Sequence, residues 1–206
     1  MDSDKLTIVC DHTILKDVRA GMTVLDVGAR GFGFAKPMAG MGCRVVAIEP
    51  DTDAGEPNHP DIELIKGAMV ARGNTGEKEL IKWGDGTGNH LDCVHGDIPF
   101  DATRQMTPCH SIDEIMSRTG IEFWDIVKFN CEGAEYDILL DWPGPIAGQI
   151  TVQFHDFVGA NPSGEQTYAR MFAHLGQWYD VVQHVQDRRF VSNVLNYWDS
   201  LIVLRA

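Results

Sequence analysis

No apolar run in this sequence approaches the length of a membrane span, so a helical membrane protein is not expected. The first residues, MDSDKLTIVC, lack the cationic and apolar regions of a signal peptide. Cysteine is scarce and scattered: Cys10, Cys43, Cys93, Cys109 and Cys131 are odd in number and show no CxxC spacing. That usage predicts buried, reduced thiols and a cytoplasmic setting rather than a disulfide framework. Cations are also short, with 17 Lys and Arg against 30 Asp and Glu and a net charge of −13. Nonspecific binding to nucleic acid or to an anionic membrane needs the opposite surface, and neither partner is expected. Repeats and low-complexity tracts are missing as well.

What is present is ordinary globular material, 44% hydrophobic and 23% charged. A chain of 206 residues is long enough for one substantial core, and the reading is a single domain over 1–206. Strand-like and helical segments alternate. Thr23 to Val27, Arg44 to Ile48, Ile62 to Val70, Asp125 to Phe129 and Ile150 to Phe157 read as strands, and Tyr179 to Val185 and Ser200 to Leu204 close the sheet. Helices are expected over Phe34 to Met41, from Ser111 (with Glu114 completing a capping box), over Ala134 to Asp141 and over Glu165 to Leu175. Lys78 to Trp83 reads as a hairpin arm, and Gly84 to Pro108 carries no clear pattern. Alternating βα units imply a mostly parallel sheet with helices on both faces.

Two places concentrate chemistry. In WDIVKFNCEGAEYDIL, a buried strand breaks into an acidic turn that packs Lys128, Asn130, Glu132 and Glu135 into eight residues. Polar groups beside a core strand are costly unless used or hydrogen-bonded, and open α/β sheets bind ligands at such strand ends. The other place is VLDVGARGFG, a strand running into glycines ahead of a helix, where backbone can approach a ligand closely. The dinucleotide fingerprint GxGxxG fails here, because starting at Gly31 its third glycine position holds Lys36. The pattern resembles instead the first motif of class I S-adenosylmethionine-dependent methyltransferases, with Asp26 as the acid before Gly28. Glu49, ending the second strand in AIEPD, stands where an acid takes both ribose hydroxyls.

With those segments, SIDEI at Ser111–Ile115 and TVQFHDF at Thr151–Phe157, the chain resembles the FkbM family of methyltransferases. Lys128, Glu132, Gly133, Ala134 and Glu135 match the central signature, whereas Asn130 replaces the usual aspartate and Gln153 a frequent glutamate. The resemblance implies a Rossmann-like class I methyltransferase fold with a mostly parallel seven-stranded sheet. It also implies methyl transfer from S-adenosylmethionine to a hydroxyl oxygen, usually of a sugar or natural product. Residues implied to hold the cofactor are Asp26, Gly28, Ala29, Arg30, Gly31, Glu49, Pro50 and Asn130, with Ala68 and Met69 placed beside adenine. Arg30 is a departure that is expected to reach a carboxylate of cofactor or substrate.

An alcohol is a poor nucleophile at neutral pH, so a base or a metal must draw off its proton. His155, ending the fifth strand, is the expected base, and Glu132 the second catalytic candidate. Packing or backbone satisfaction is the competing reading for His155, and a capping role in the first helical turn for Glu135. Asn130, Glu132 and His155 offer metal donors on paper, but no metal is expected. His90, His95 and His110 read as solvated, and Trp83, Trp142, Trp178 and Trp198 as packing. Two further functional readings stay open: a catalytically silent S-adenosylmethionine-binding module, prompted by Asn130, and a nicotinamide-dependent oxidoreductase. The acceptor, a small molecule or glycan, is expected to enter an open cleft or one covered by a second subunit of a homo-oligomer.

Overall fold

A computed structural model describes residues 3–84, 86, 88–91, 101–157, 165–187 and 195–205. The chain opens with a hairpin of two four-residue strands, β1 (Leu6–Val9) and β2 (His12–Leu15). The sheet then begins with β3 (Thr23–Val27), a single 3₁₀ turn at Arg30–Phe32, helix α1 (Ala35–Gly40), β4 (Arg44–Glu49) and β5 (Ile62–Lys66). Four shorter or edge strands follow: β6 (Ala68–Met69), β7 (Gly76–Lys82), β8 (His90–Leu91) and β9 (Thr103–His110). The rest is α2 (Ile112–Thr119), β10 (Trp124–Phe129), α3 (Glu135–Leu140), β11 (Ala147–Phe157), α4 (Glu165–Leu175), β12 (Tyr179–Asp187) and β13 (Leu195–Leu204).

Seven strands form the central sheet in the order β12-β13-β11-β10-β3-β4-β5. The five strands from β11 to β5 run parallel, and β13 enters antiparallel between β11 and β12. Side chains alternate across the sheet, so each strand feeds two cores. On one face Ile126 and Val45 meet Ala35 and Met38 of α1 and Ile14 of the hairpin. On the other, Val127, Phe129, Ile150 and Val152 meet apolar residues of α2, α3 and α4. Helices therefore cover both faces, as the βα pattern requires. Among the described residues no helix is long and apolar enough to cross a membrane.

Local signals explain the boundaries. Ser111 accepts from the backbone of Glu114 while the Glu114 carboxylate accepts from Ser111 N, and Gly120, at φ 68°, ends the helix left-handed. Strand order reverses between β3 and β10: the chain winds outward from β3 through β4 to β5, and from β10 to β11 in the other direction. A crevice opens at the carboxyl ends of the two strands at such a switch point.

The expected strand Ile62–Val70 is two strands. Gly67, at φ 155°, turns the chain so that Ala68–Met69 pairs parallel with Cys109–His110 in a second, four-stranded sheet ordered β6-β9-β7-β8. The arm expected over Lys78–Trp83 is β7, whose long antiparallel partner is β9 in the segment that carried no pattern. The N-terminal hairpin was not anticipated either; Leu15 N donates to Gln149 Oε1 of β11 at 2.8 Å and fastens it to the main sheet. Cys93 and His95 lie outside the described residues.

Candidate active site

The crevice is a cavity of about 340 Å³ bordered by the ends of β3, β4 and β10, by the second sheet and by the N-terminal hairpin. Its floor is the glycine loop after β3. Gly28 stands at φ 74°, and a Cβ there would fall 1.7 Å from the carbonyl oxygen of Asn130, so no other residue fits. The amides of Gly28 and Ala29 both donate to Ile48 O, at 3.0 and 3.1 Å, which ties the loop to the end of β4.

Beneath the loop lie two buried charges. Lys128 Nζ is 2.9 Å from Asp26 Oδ1. Its protons nevertheless point to the carbonyl oxygens of Gly28 (2.7 Å) and Val27 (3.2 Å). Neither Asp26 oxygen receives a hydrogen bond from a described residue. The pair is thus close in distance but poorly aligned, and Asp26 keeps acceptor capacity at the wall of the cavity.

At the end of β4, Glu49 is buried and borders the cavity. Burial pushes its carboxyl up to about 7, with the nearby Asp51 adding to the rise, against the opposing pull of the Asp51 N–H that Oε1 accepts at 2.9 Å and of Lys128. Asp51 behaves oppositely. Burial acts to raise it, but Lys82 at 2.6 Å, Asp53 N at 3.0 Å and Arg30 together hold it below the usual carboxylate range. Asn89 also donates to it at 3.0 Å. Arg30, expected to reach a ligand carboxylate, is bound to Asp51 and joins the loop to the second sheet.

The turn after β10 holds the acids. Glu132 sits at φ 53°, a left-handed conformation that a non-glycine residue adopts at a cost of order 1 kcal/mol. Its carboxyl borders the cavity and is pushed up to about 7 by burial, with Glu135 adding to the rise and His155 opposing it. His155 does not border the cavity. It is buried behind Glu132, its Nε2 3.4 Å from Glu132 and its Nδ1 3.0 Å from Glu135. Burial alone would keep the ring neutral, yet the two carboxylates outweigh it and raise its pKa. Glu135 accepts from Cys131 N (2.7 Å) and Gly133 N (2.8 Å), so it fixes the turn more than it caps its own helix. Asn130 Nδ2 donates to Gln153 Oε1 at 3.2 Å.

Of the residues expected in the site, Asp26, Gly28, Ala29, Arg30, Glu49, Pro50, Ala68, Met69, Asn130 and Glu132 all border this one cavity. Gly31, at φ 69° in the 3₁₀ turn, and His155 do not. The cavity also takes in Cys10 and His12 from the hairpin and Leu80 and Leu91 from the second sheet, which sequence did not point to, and His90, which is buried at 2% exposure and not solvated as expected.

A family model described as the methyltransferase FkbM domain matches residues 26–178, the span that contains the glycine loop, Glu49, the acidic turn and His155. The chain belongs to the FkbM methyltransferase family. Its methyl donor is S-adenosylmethionine, and the nicotinamide alternative lapses with that assignment. Solved structures support the fold. The FkbM chain is similar to the fibrillarin pre-rRNA processing protein of Methanococcus jannaschii, at 11% identity over 97% of this chain and 70% of that one, with a TM-score of 0.54. It is likewise similar to Aeropyrum pernix fibrillarin, which carries natively bound S-adenosyl-L-methionine, at 12% identity over 92% of this chain and 70% of that one, with a TM-score of 0.54. No curated protein sequence gives a significant match. The cavity suits the cofactor: Asp26 has unused acceptors for an ammonium, and Glu49 presents a buried carboxylate to hydroxyls.

Proposed function

We propose that this protein transfers a methyl group from S-adenosylmethionine to a hydroxyl oxygen of a small polar acceptor, a sugar or glycoconjugate. The observation that carries the reading is Glu132 on the cavity wall, its carboxyl pushed up to about 7 by burial and 3.4 Å from His155 Nε2. A base whose pKa lies near the working pH combines the right protonation state with useful driving force.

Bound S-adenosylmethionine would supply an electrophilic methyl group on a sulfonium. Glu49 would hold the ribose hydroxyls and Asp26 the ammonium, with Ala68 and Met69 beside the base. Glu132 would take up the proton that the acceptor hydroxyl gives up on methylation. Holding the oxygen and the methyl group in line contributes roughly 7–11 kcal/mol. His155, whose pKa the two carboxylates raise, opposes the rise at Glu132 and orients its carboxyl. The hydroxyl acceptor follows from a carboxylate base and from the family resemblance. A reducing, cytoplasmic setting agrees with Cys10, Cys43 and Cys131, free thiols among the described residues.

The neutral Asn130–Gln153 pair favours a second reading, a module that binds the cofactor without turnover. The test is release of S-adenosylhomocysteine, with mass-spectrometric detection of a methyl ether, across a panel of sugars and hydroxylated natural products. Turnover that Glu132→Gln abolishes supports the proposal. Tight cofactor binding with no methylated product across the panel supports the silent module instead.

A further inference from the structure

The N-terminal hairpin contributes a side chain to the cavity that the proposed chemistry has not used. Cys10 and Asp11 form its two-residue turn, with Val9 opposite His12 and positive φ angles of 45° and 66°. Such a turn matches the twist of paired strands but normally favours Asn and Gly, so two ordinary residues hold it under strain. It packs against the glycine loop so closely that a Cβ on Gly33 would fall 2.6 Å from Cys10 Sγ. This docking carries His12 to the cavity wall, where its ring is 3% exposed and set edge-on to Phe34 at 5.7 Å.

The cavity has two unlike ends. Ala68, Met69, Leu80 and Leu91 make an apolar end beside Glu49, suited to a nucleobase next to its ribose. The other end, across the glycine loop, is polar: Asp26, Lys128 and His12. A nucleoside with its hydroxyls on Glu49 and its base at the apolar end must run its amino-acid tail to the polar end. That tail is a zwitterion. Asp26 has acceptors for the ammonium, whereas Lys128 donates to two loop carbonyls and its third proton is left beside Asp26, 2.9 Å away. His12 remains for the carboxylate.

We propose that His12 binds the α-carboxylate of the cofactor's methionine tail through Nε2. Thr151 Oγ1 lies 3.4 Å from Nδ1, and a proton donated there places the ring's own proton on Nε2 of a residue that borders the cavity. Burial, then Lys128 on β10 and His155 on β11, lower the pKa of the free ring well below its usual value, so it acts as a neutral donor. Asp26 on β3 and Cys10 on the hairpin border the same end of the cavity. The hairpin precedes the family-matched span, which begins at residue 26, so the contact belongs to this chain's own N-terminal segment.

The inference rests on S-adenosylmethionine being the cofactor, and calorimetry separates the two claims. The probes are S-adenosylhomocysteine and its decarboxylated analogue, which lacks that one carboxylate. The wild-type protein should bind the first at least about tenfold more tightly. His12→Ala should lose about tenfold on S-adenosylhomocysteine and less than about twofold on the analogue, and His12→Gln, which keeps an N–H donor, should recover most of the loss. Should His12→Ala fail to fold, ¹⁵N-histidine spectra of the wild-type protein decide: S-adenosylhomocysteine shifts the His12 ring signal, identified by its loss in His12→Gln, and the analogue leaves it in place. Equal losses on both ligands, or an unmoved His12 signal, overturn the inference alone. A wild-type protein that binds neither ligand overturns the cofactor reading with it.

Discussion

Asn130 and Gln153, the two positions at which this chain carries amides where the FkbM pattern carries acids, are bonded to each other at 3.2 Å. Gln153 continues through Nε2 to Asp199 at 3.3 Å. Two carboxylates at this distance would have to share a proton, whereas two amides form a neutral donor–acceptor pair. The two amides therefore form one neutral pair. Asn130→Asp alone should set a carboxylate against the Gln153 carbonyl oxygen, and turning that amide would face its oxygen to Asp199. A loss of about 1–2 kcal/mol, or several degrees in Tm, is expected. Thermal denaturation checks it, and an unchanged Tm would mean the pair is not coupled.

Glu132 must be ionised to accept a proton, so kcat should rise with pH through an apparent pKa of about 7. Glu132→Gln should remove the pH-dependent limb and at least about a hundredfold of the rate, with little change in S-adenosylhomocysteine affinity. His155 lowers the Glu132 pKa, so His155→Asn should move the limb to higher pH. A limb that stays in place in that variant argues against His155 as a positioning residue.

Glu49 gives a binding prediction. Glu49→Ala should weaken S-adenosylhomocysteine binding by about tenfold or more, the loss of a buried charge-assisted hydrogen bond. In the wild-type protein affinity should improve as pH rises through about 7, where Glu49 ionises, and Glu49→Gln should flatten that dependence. Isothermal titration from pH 6 to 8 reads both.

The same shifts set the stability profile of the free protein. Glu49 and Glu132 are both raised from 4.5 to about 7. Between those values the folded state binds more protons than the unfolded one. Their contribution is thus fully present below about 4.5 and is lost as pH rises through about 7. Urea midpoints should fall between pH 5 and pH 8, and Glu49→Gln should reduce the fall.

Lys128 compensates Asp26 and pins the glycine loop. Lys128→Met should leave a buried carboxylate uncompensated and destabilise by about 3–5 kcal/mol, with the double change Asp26→Asn/Lys128→Met recovering a large part. Urea denaturation of the three variants separates this from simple loss of packing, in which the double variant would be no better than the single one.

Much of this architecture is legible in the residues. TVLDVG, RVVAIE and WDIVKF are short apolar strands that run into polar groups, and the strand-end acids Asp26 and Glu49 and the turn acid Glu132 do border one cavity. The second sheet is hidden because TRQMTPCH does not alternate: Met106 is 56% exposed, and Pro108 interrupts the strand. Pro108 is tolerated because it lies opposite Glu77 of β7, just before β6 begins pairing at Cys109 on the other side. The break at Gly67 is invisible for the opposite reason, since burial resumes at Ala68 and the apolar pattern reads through it. His12 was out of reach because a four-residue strand carries too little periodicity to show which face it buries. His155 ends its strand beside the acidic turn, as the sequence suggests, but only tertiary packing shows that Glu132 stands between it and the cavity.

A crystal structure of the protein with S-adenosylhomocysteine tests the central claim most directly. The account predicts the ribose hydroxyls on Glu49, adenine against Ala68 and Met69, and the sulfur facing the wall that carries Glu132. Density for the ligand outside this cavity, or a sulfur turned away from Glu132, would contradict it.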